Sequence, residues 1–469
     1  MTTEETTGHL KREIRLIDAI AIVVGSMIGS GIFIVGADIM RNTGSAGWFI
    51  AVWIIGGIMT LIAALSYGEL SALFPKAGGQ YIYLKEAFSP LVAFVYGWSL
   101  FAVIQTGTIA AVGVSFFKFL AYFAPQLSED IVWLRFGTFT VSPAQLSAIL
   151  LLAVLTYINT RGIKGGKILQ TVFTITKVLS IGGLILFGFL HIKADVWQQN
   201  WTALFDLKKI NLDGSIQAYP DLPALGGALA AALVGAIMSY EAWNNVTFIA
   251  GEIRNPKRNI GLSLLIGVLL VVAIYVLLNL MFTAVLPLHD IATQPKDRVG
   301  IGAAQAIFGP IGTAIIALLI MVSTFGCNNG LILSGARVYY SMAQDGLFFK
   351  RAAKLNPQAV PAFALWIQFG MASILCLSGK YGDLLDMITF IAVFFYVLTI
   401  LGIYILRVKR PHAPRPYKAI GYPLLPAIYM ILGLAFCILL IIYKPHFTWP
   451  GLLIALAGIP IYYIHRRYS

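Results

Sequence analysis

Apolar runs separated by short polar stretches recur along this chain, at roughly 17–40, 47–73, 90–122, 144–160, 167–192, 224–251, 261–287, 304–335, 361–379, 383–406, 422–443 and 447–464. Most reach or exceed the ~20 residues that a helix needs to cross the hydrocarbon core, so the pattern predicts twelve transmembrane helices. The fourth and twelfth runs are short and the third and eighth long. Composition agrees, since 59% hydrophobic residues against 11% charged over 469 residues do not pack as a soluble domain. The expected fold class is an all-α polytopic membrane protein.

The polar stretches between the runs set an orientation. The N-terminus is polar and mixed in charge, and the first apolar run is too long for the core of a cleaved signal. With the N-terminus placed in the cytosol, twenty-two Lys and Arg fall in inside segments and ten in outside ones. Basic residues favour the inside, so both termini are expected to be cytosolic. The net charge of +13 then follows from topology, with no nucleic-acid partner to invoke. The reading divides the chain into a cytosolic segment 1–15, helices one to five over 16–192, an outer loop 193–223, helices six to ten over 224–406, a basic inner loop 407–421, helices eleven and twelve over 422–464, and a cytosolic end 465–469.

Departures from the apolar pattern mark the candidate chemistry. The first run contains GSMIGSGIF, with Gly25, Gly29, Gly31, Ser26 and Ser30 inside seven residues near mid-membrane depth. Glycine is a poor helix former, and unwound backbone inside a membrane is tolerated only where it lines a cavity or meets a ligand. This run is therefore a candidate binding site. Lys177, ten residues beyond Lys167 at the start of the fifth run, lies about 15 Å along the axis at 1.5 Å per residue. A lysine that deep is either a packing cation on carbonyls or a functional charge in a polar cavity. Glu241 is the acid expected at similar depth, in a sixth run made polar by Ser239, Tyr240, Trp243, Asn244, Asn245 and Thr247. The eighth run carries Ser323, Thr324, Asn328 and Asn329; such residues also serve as interhelical glue.

Enzyme signatures are missing: no HExxH, no Walker loop and no GxSxG occurs, so the chain is not expected to be an enzyme. Its three cysteines, Cys327, Cys376 and Cys437, all fall in apolar runs and form no disulfide or metal framework. No metal and no cofactor is expected. The two interrupted runs, first and sixth, are five spans apart, and copying a five-helix unit once inverts it in the membrane. Both breaks then meet near mid-membrane.

Several longer motifs carry a family resemblance. VVGSMIGSGIF, ALSYGELSALFPKAGGQYIYLKEAF, GEIRNPKRNIGLS, FGCNNGLILSGARVYYSMAQDG and RPYKAIGYPLLP together resemble the L-type amino acid transporter family of the APC superfamily, and its bacterial serine/threonine exchanger branch in particular. The likeness runs from about Leu16 to Tyr463. It implies a LeuT-like fold of two inverted five-helix repeats plus two C-terminal helices, with the first and sixth helices discontinuous, and sodium-independent amino acid exchange. It also implies residence in a cell membrane, here a bacterial inner membrane, among membrane lipids.

Carried onto this sequence, the resemblance places a substrate carboxylate on the N–H groups of Gly29, Ser30 and Gly31, and the amine near carbonyls at Met27, Met238, Ser239 and Glu241. Lys177 aligns with a family lysine that stands where sodium-coupled relatives bind an ion, and Asn329 with a family asparagine. The family aromatic gate is absent at Met238, and its glycines are absent at Glu241 and Ala242, which leaves Tyr240 or Trp243 as gating candidates. Mammalian members attach a partner through a cysteine between helices three and four. Residues 123–143 contain none, so no disulfide-linked heavy chain is expected. Three functions remain open: an exchanger of neutral amino acids; a proton-coupled or exchanging carrier of cationic amino acids or polyamines, suggested by Glu241; and a channel or sensor on the same fold.

Overall fold

The computed structural model describes residues 10–136, 139–377 and 381–468. The first nine residues and Ser469 of the two terminal segments, and Lys380 of the outer charge tally, lie outside them. Among the described residues ten helices are long and apolar enough to cross a membrane. Two shorter apolar helices, Leu16–Met27 and Ala362–Leu377, occupy the places of the first and ninth runs. The eighth run differs from expectation: Val299–Phe308 forms a helix of its own, Gly309 turns the chain at φ 67°, and a 34-residue helix then runs over Ile311–Gln344. Glycine suits that left-handed position because it lacks a Cβ.

The first run breaks where its glycines and serines cluster. Leu16–Met27 ends at Ile28, whose φ −78° and ψ 94° are extended, and helix resumes over Gly31–Ile34 and Gly36–Thr43. The sixth run breaks as well. Leu222–Ser239 gives way to turns over 240–244 before a single helical turn at Asn245–Phe248. Ala242 takes the left-handed φ of 69° there, a conformation that costs a non-glycine residue about 1–2 kcal/mol. The sixth helix thus unwinds without the family glycines, and the missing glycines lend no support to a channel or sensor.

Helix Leu16–Met27 sits centrally, packed on Ile163–Leu190, Pro256–Val285 and Ile311–Gln344. On the side of the chain termini, Ile14 pairs with the segment that follows the second break, through Ile14 N–H to Glu252 O at 3.0 Å and Arg254 N–H to Ile14 O at 2.9 Å. Arg337, counted above with the inside segments, is fully buried within its helix and pairs with Glu252 at 3.0 Å. Glu69 is buried too, and is held by Arg407 at 2.7 Å and Arg415 at 3.3 Å. Among the described residues the strands form two small hairpins in loop segments, Leu134–Phe136 with Phe139–Val141 and Lys208–Ile210 with Ile216–Ala218, besides the isolated bridge at Ile14.

Candidate functional site

Backbone that leaves a helix inside a membrane frees carbonyls and N–H groups in equal measure, and each one left bare costs several kcal/mol. At the first break the carbonyls are accounted for one by one. Lys177, fully buried on helix Ile163–Leu190, donates to Gly25 O at 2.9 Å, to Ile28 O at 2.8 Å and to Ser323 O at 3.0 Å. Cys327 donates its S–H to Ser26 O at 2.9 Å, and Tyr275 its hydroxyl to Met27 O at 3.0 Å. Ser323 Oγ reaches Ile28 O at 2.9 Å and Gly29 O at 3.3 Å. Five consecutive carbonyls, from Gly25 to Gly29, are therefore capped by side chains of neighbouring helices.

The donors at the same break are not. Among the described residues the N–H groups of Gly29, Ser30 and Gly31 donate to no protein acceptor. They border a cavity of about 80 Å³ lined by Ser26, Met27, Ile34, Val35, Thr108, Cys327 and the second break from Met238 to Ala242, Tyr240 excepted. Ser26 Oγ is buried there with no hydrogen-bond partner among the described residues. A wall with bare donors and occupied acceptors has the chemistry that suits an anion.

The second break leaves groups of both kinds. Met238 O accepts the Glu241 N–H at 3.1 Å and Ser239 O shares the single Tyr275 hydroxyl proton with Met27 O, each at 3.0 Å. Among the described residues, however, the carbonyls of Tyr240, Glu241 and Trp243 accept nothing and the N–H groups of Trp243 and Asn244 donate to nothing. Glu241 lines the cavity. Its carboxylate takes the hydroxyl proton of Tyr396 and has no Lys, Arg or His partner among the described residues, unlike Glu69 and Glu252. On its far side lies a second, water-sized cavity of about 10 Å³ bounded by Gln80, Gln105, Asn244 and Tyr396. Asn244 donates to Gln80 at 2.9 Å and Gln80 to Thr399 at 3.0 Å, so this floor is a continuous polar chain.

The structure brings Met27, Gly29, Ser30, Gly31, Met238, Ser239 and Glu241 to one cavity. Lys177 stands directly behind it. Tyr240 points away, its hydroxyl on Trp53 O at 3.1 Å, and Trp243 packs against Tyr67 and Tyr396 with ring centroids 4.7 and 5.2 Å apart. Asn329 lies outside the cavity as well, bonded to Gly166 O at 3.0 Å and to Gln170 at 2.9 Å. Beyond the residues expected from the sequence, the cavity and its supports also take in Tyr275, Tyr396 and Thr108. Tyr275 carried a usable signal, as an isolated tyrosine in the apolar stretch LLVVAIYVLL.

Comparison with known proteins fits this geometry. The family model described as amino acid permease matches residues 14–463. The chain is 30% identical over 472 residues to the serine/threonine exchanger SteT of Bacillus subtilis, covering 99% of this chain and 98% of that protein. It is also 28% identical over 471 residues to the human b(0,+)-type amino acid transporter 1, covering 99% of this chain and 90% of that protein. The Asc-type amino acid transporter 1 of Mus musculus is 27% identical, with 97% of this chain and 81% of that protein covered. The chain belongs to the amino acid permease family of the APC superfamily.

Proposed function

We propose that the protein is a sodium-independent secondary transporter that exchanges neutral L-amino acids by alternating access. The observation that carries this reading is the first break, whose carbonyls are capped and whose N–H donors at Gly29, Ser30 and Gly31 are bare toward a cavity that Glu241 of the second break also lines. A zwitterion supplies the matching charges. Its carboxylate meets Gly29, Ser30 and Gly31, and its amine meets the second break near Glu241. The names of relatives, a serine/threonine exchanger among them, support amino acid exchange.

Size favours small substrates, because at roughly 15 Å³ per water centre the cavity holds about five waters, the bulk of alanine or serine. Lys177 supports sodium independence, since its ammonium already occupies the carbonyl acceptors between three helices that a cation would need. Two inverted five-helix repeats around the breaks, two further helices and both termini in the cytosol complete the proposed architecture. The protein would act in a cell membrane without a disulfide-linked heavy chain.

One observation favours a second reading. Glu241 presents a carboxylate without a cationic partner to the cavity, which suits a cationic amino acid or polyamine. Proteoliposomes loaded with or without serine separate the two. Labelled serine and alanine should enter only when amino acid is present inside, with equal rates in sodium and in choline, and arginine and putrescine should not compete. Uptake that ignores the internal pool would overturn exchange, and uptake of arginine or putrescine would establish the second reading.

A further inference from the structure

A third concavity lies at the end of the bundle that carries the chain termini, and it shares no lining residue with the cavity between the two breaks. It encloses about 710 Å³ between the start of helix Pro90–Ser99, the end of helix Ile311–Gln344 and the last turns of helix Pro445–Tyr468. Lys85, Ser89, Leu91, Tyr462, Tyr463 and Arg466 line it, together with Asp345. Asp345 is already engaged on both oxygens, by Lys85 at 2.6 Å and by the Tyr81 hydroxyl at 2.8 Å. Lys85 keeps two ammonium protons beyond that pair. Arg466 makes no ion pair or hydrogen bond among the described residues.

The groove also holds an unpartnered polar group on its wall. Tyr462 is only 6% exposed, its ring set 5.4 Å from that of Phe94, and its hydroxyl has no hydrogen-bond partner among the described residues. Gly346 turns at φ 72° with nothing within 4 Å of where a Cβ would sit, so the groove stays open beside it. His465 fixes the last helix across this opening through Gly346 O at 2.8 Å. One flank is apolar and uncovered by protein, with Tyr463 and Ile464 both exposed. Tyrosine beside apolar side chains and Lys or Arg is the composition of a membrane interface.

We propose that this groove binds the phosphodiester headgroup of an anionic phospholipid, between Lys85 and Arg466 and within reach of the Tyr462 hydroxyl, with the acyl chains along the Tyr463–Ile464 flank. Basic pockets at helix ends on the cytosolic face recognise such headgroups. A free phosphate shares the charge but has no use for the apolar flank.

Native mass spectrometry of the purified full chain tests the assignment, with phosphatidylglycerol and phosphatidylcholine of identical acyl chains as probes. Phosphatidylglycerol should be retained on the order of tenfold better than phosphatidylcholine, and Arg466→Gln should weaken it about fivefold. Tyr462→Phe should weaken it as well, while Arg467→Gln, outside the groove, should change it less than about twofold. An excess of inorganic phosphate should not displace the lipid. Equal retention of the two lipids, equal losses in Arg466→Gln and Arg467→Gln, or displacement by inorganic phosphate would each overturn the site. Arg466 and Arg467 are exposed and Tyr462→Phe keeps the buried ring, so an unchanged melting temperature confirms that the variants fold.

Discussion

The two broken helices leave different groups uncovered. At the first break every carbonyl from Gly25 to Gly29 has a side-chain donor, and the N–H groups of Gly29 to Gly31 are left for something else. At the second break the carbonyls of Tyr240, Glu241 and Trp243 and the N–H groups of Trp243 and Asn244 are left over among the described residues, beside a carboxylate held by Tyr396. The first break has its carbonyls covered and its donors bare, the second has bare groups of both kinds beside an acid, and Tyr275 joins them by sharing its hydroxyl proton between Met27 O and Ser239 O. Polarity at a membrane break is thus set by which orphan groups the neighbouring helices cover.

That contrast can be broken most severely at Lys177. Lys177→Met strips three carbonyls of their charged donor, each costing about 1–3 kcal/mol, so serine exchange should fall by about a hundredfold or more and the melting temperature should drop. Exchange at the parental rate would mean that the capped carbonyls do not hold the first break. Tyr275→Phe removes the bridge between the breaks, and its apparent KM for serine should rise about tenfold, read from exchange at graded substrate.

Subtler changes sharpen the comparison. Gly31→Ala places a Cβ about 3.0 Å from Ser239 Oγ, where the breaks touch, and should slow exchange severalfold. Ser239→Ala in the same chain removes that clash, so the pair should recover by about 1 kcal/mol in a double-mutant cycle. Strict additivity would place the defect elsewhere. Glu241→Gln keeps the shape of the second break and should leave serine exchange within about threefold, because a neutral amide still accepts from Tyr396. A collapse of serine exchange would assign the carboxylate to the amine of neutral substrates.

Legibility in the sequence followed the same division. The first break was visible because glycine and serine crowd into a run where the membrane otherwise demands helix, and Lys177 because a charge so deep is costly. The second carries a weaker signal, since Glu241 and Ala242 stand where the family has glycines. The chain unwinds there nonetheless, and Ala242 takes the left-handed conformation unaided by glycine. Tyr240 and Trp243 have the polar and aromatic character of gating residues, yet which face a helix turns inward depends on its neighbours. The capping roles of Tyr275, Cys327 and Ser323 were hidden for the converse reason: each looks ordinary in its own helix and acquires a role only beside the carbonyl that it caps. Partners distant in the chain leave no local signal.

A substrate carboxylate at Gly29, Ser30 and Gly31 is the central proposal, and competition by L-serinamide against labelled serine in loaded proteoliposomes tests it most directly. The amide keeps the side chain and an α-amine and puts a neutral group in place of the carboxylate. It should compete at least about a hundredfold more weakly than L-serine, the loss of charge-assisted bonds to bare N–H donors. Competition by L-serinamide as effective as by L-serine would contradict an anion site at the first break.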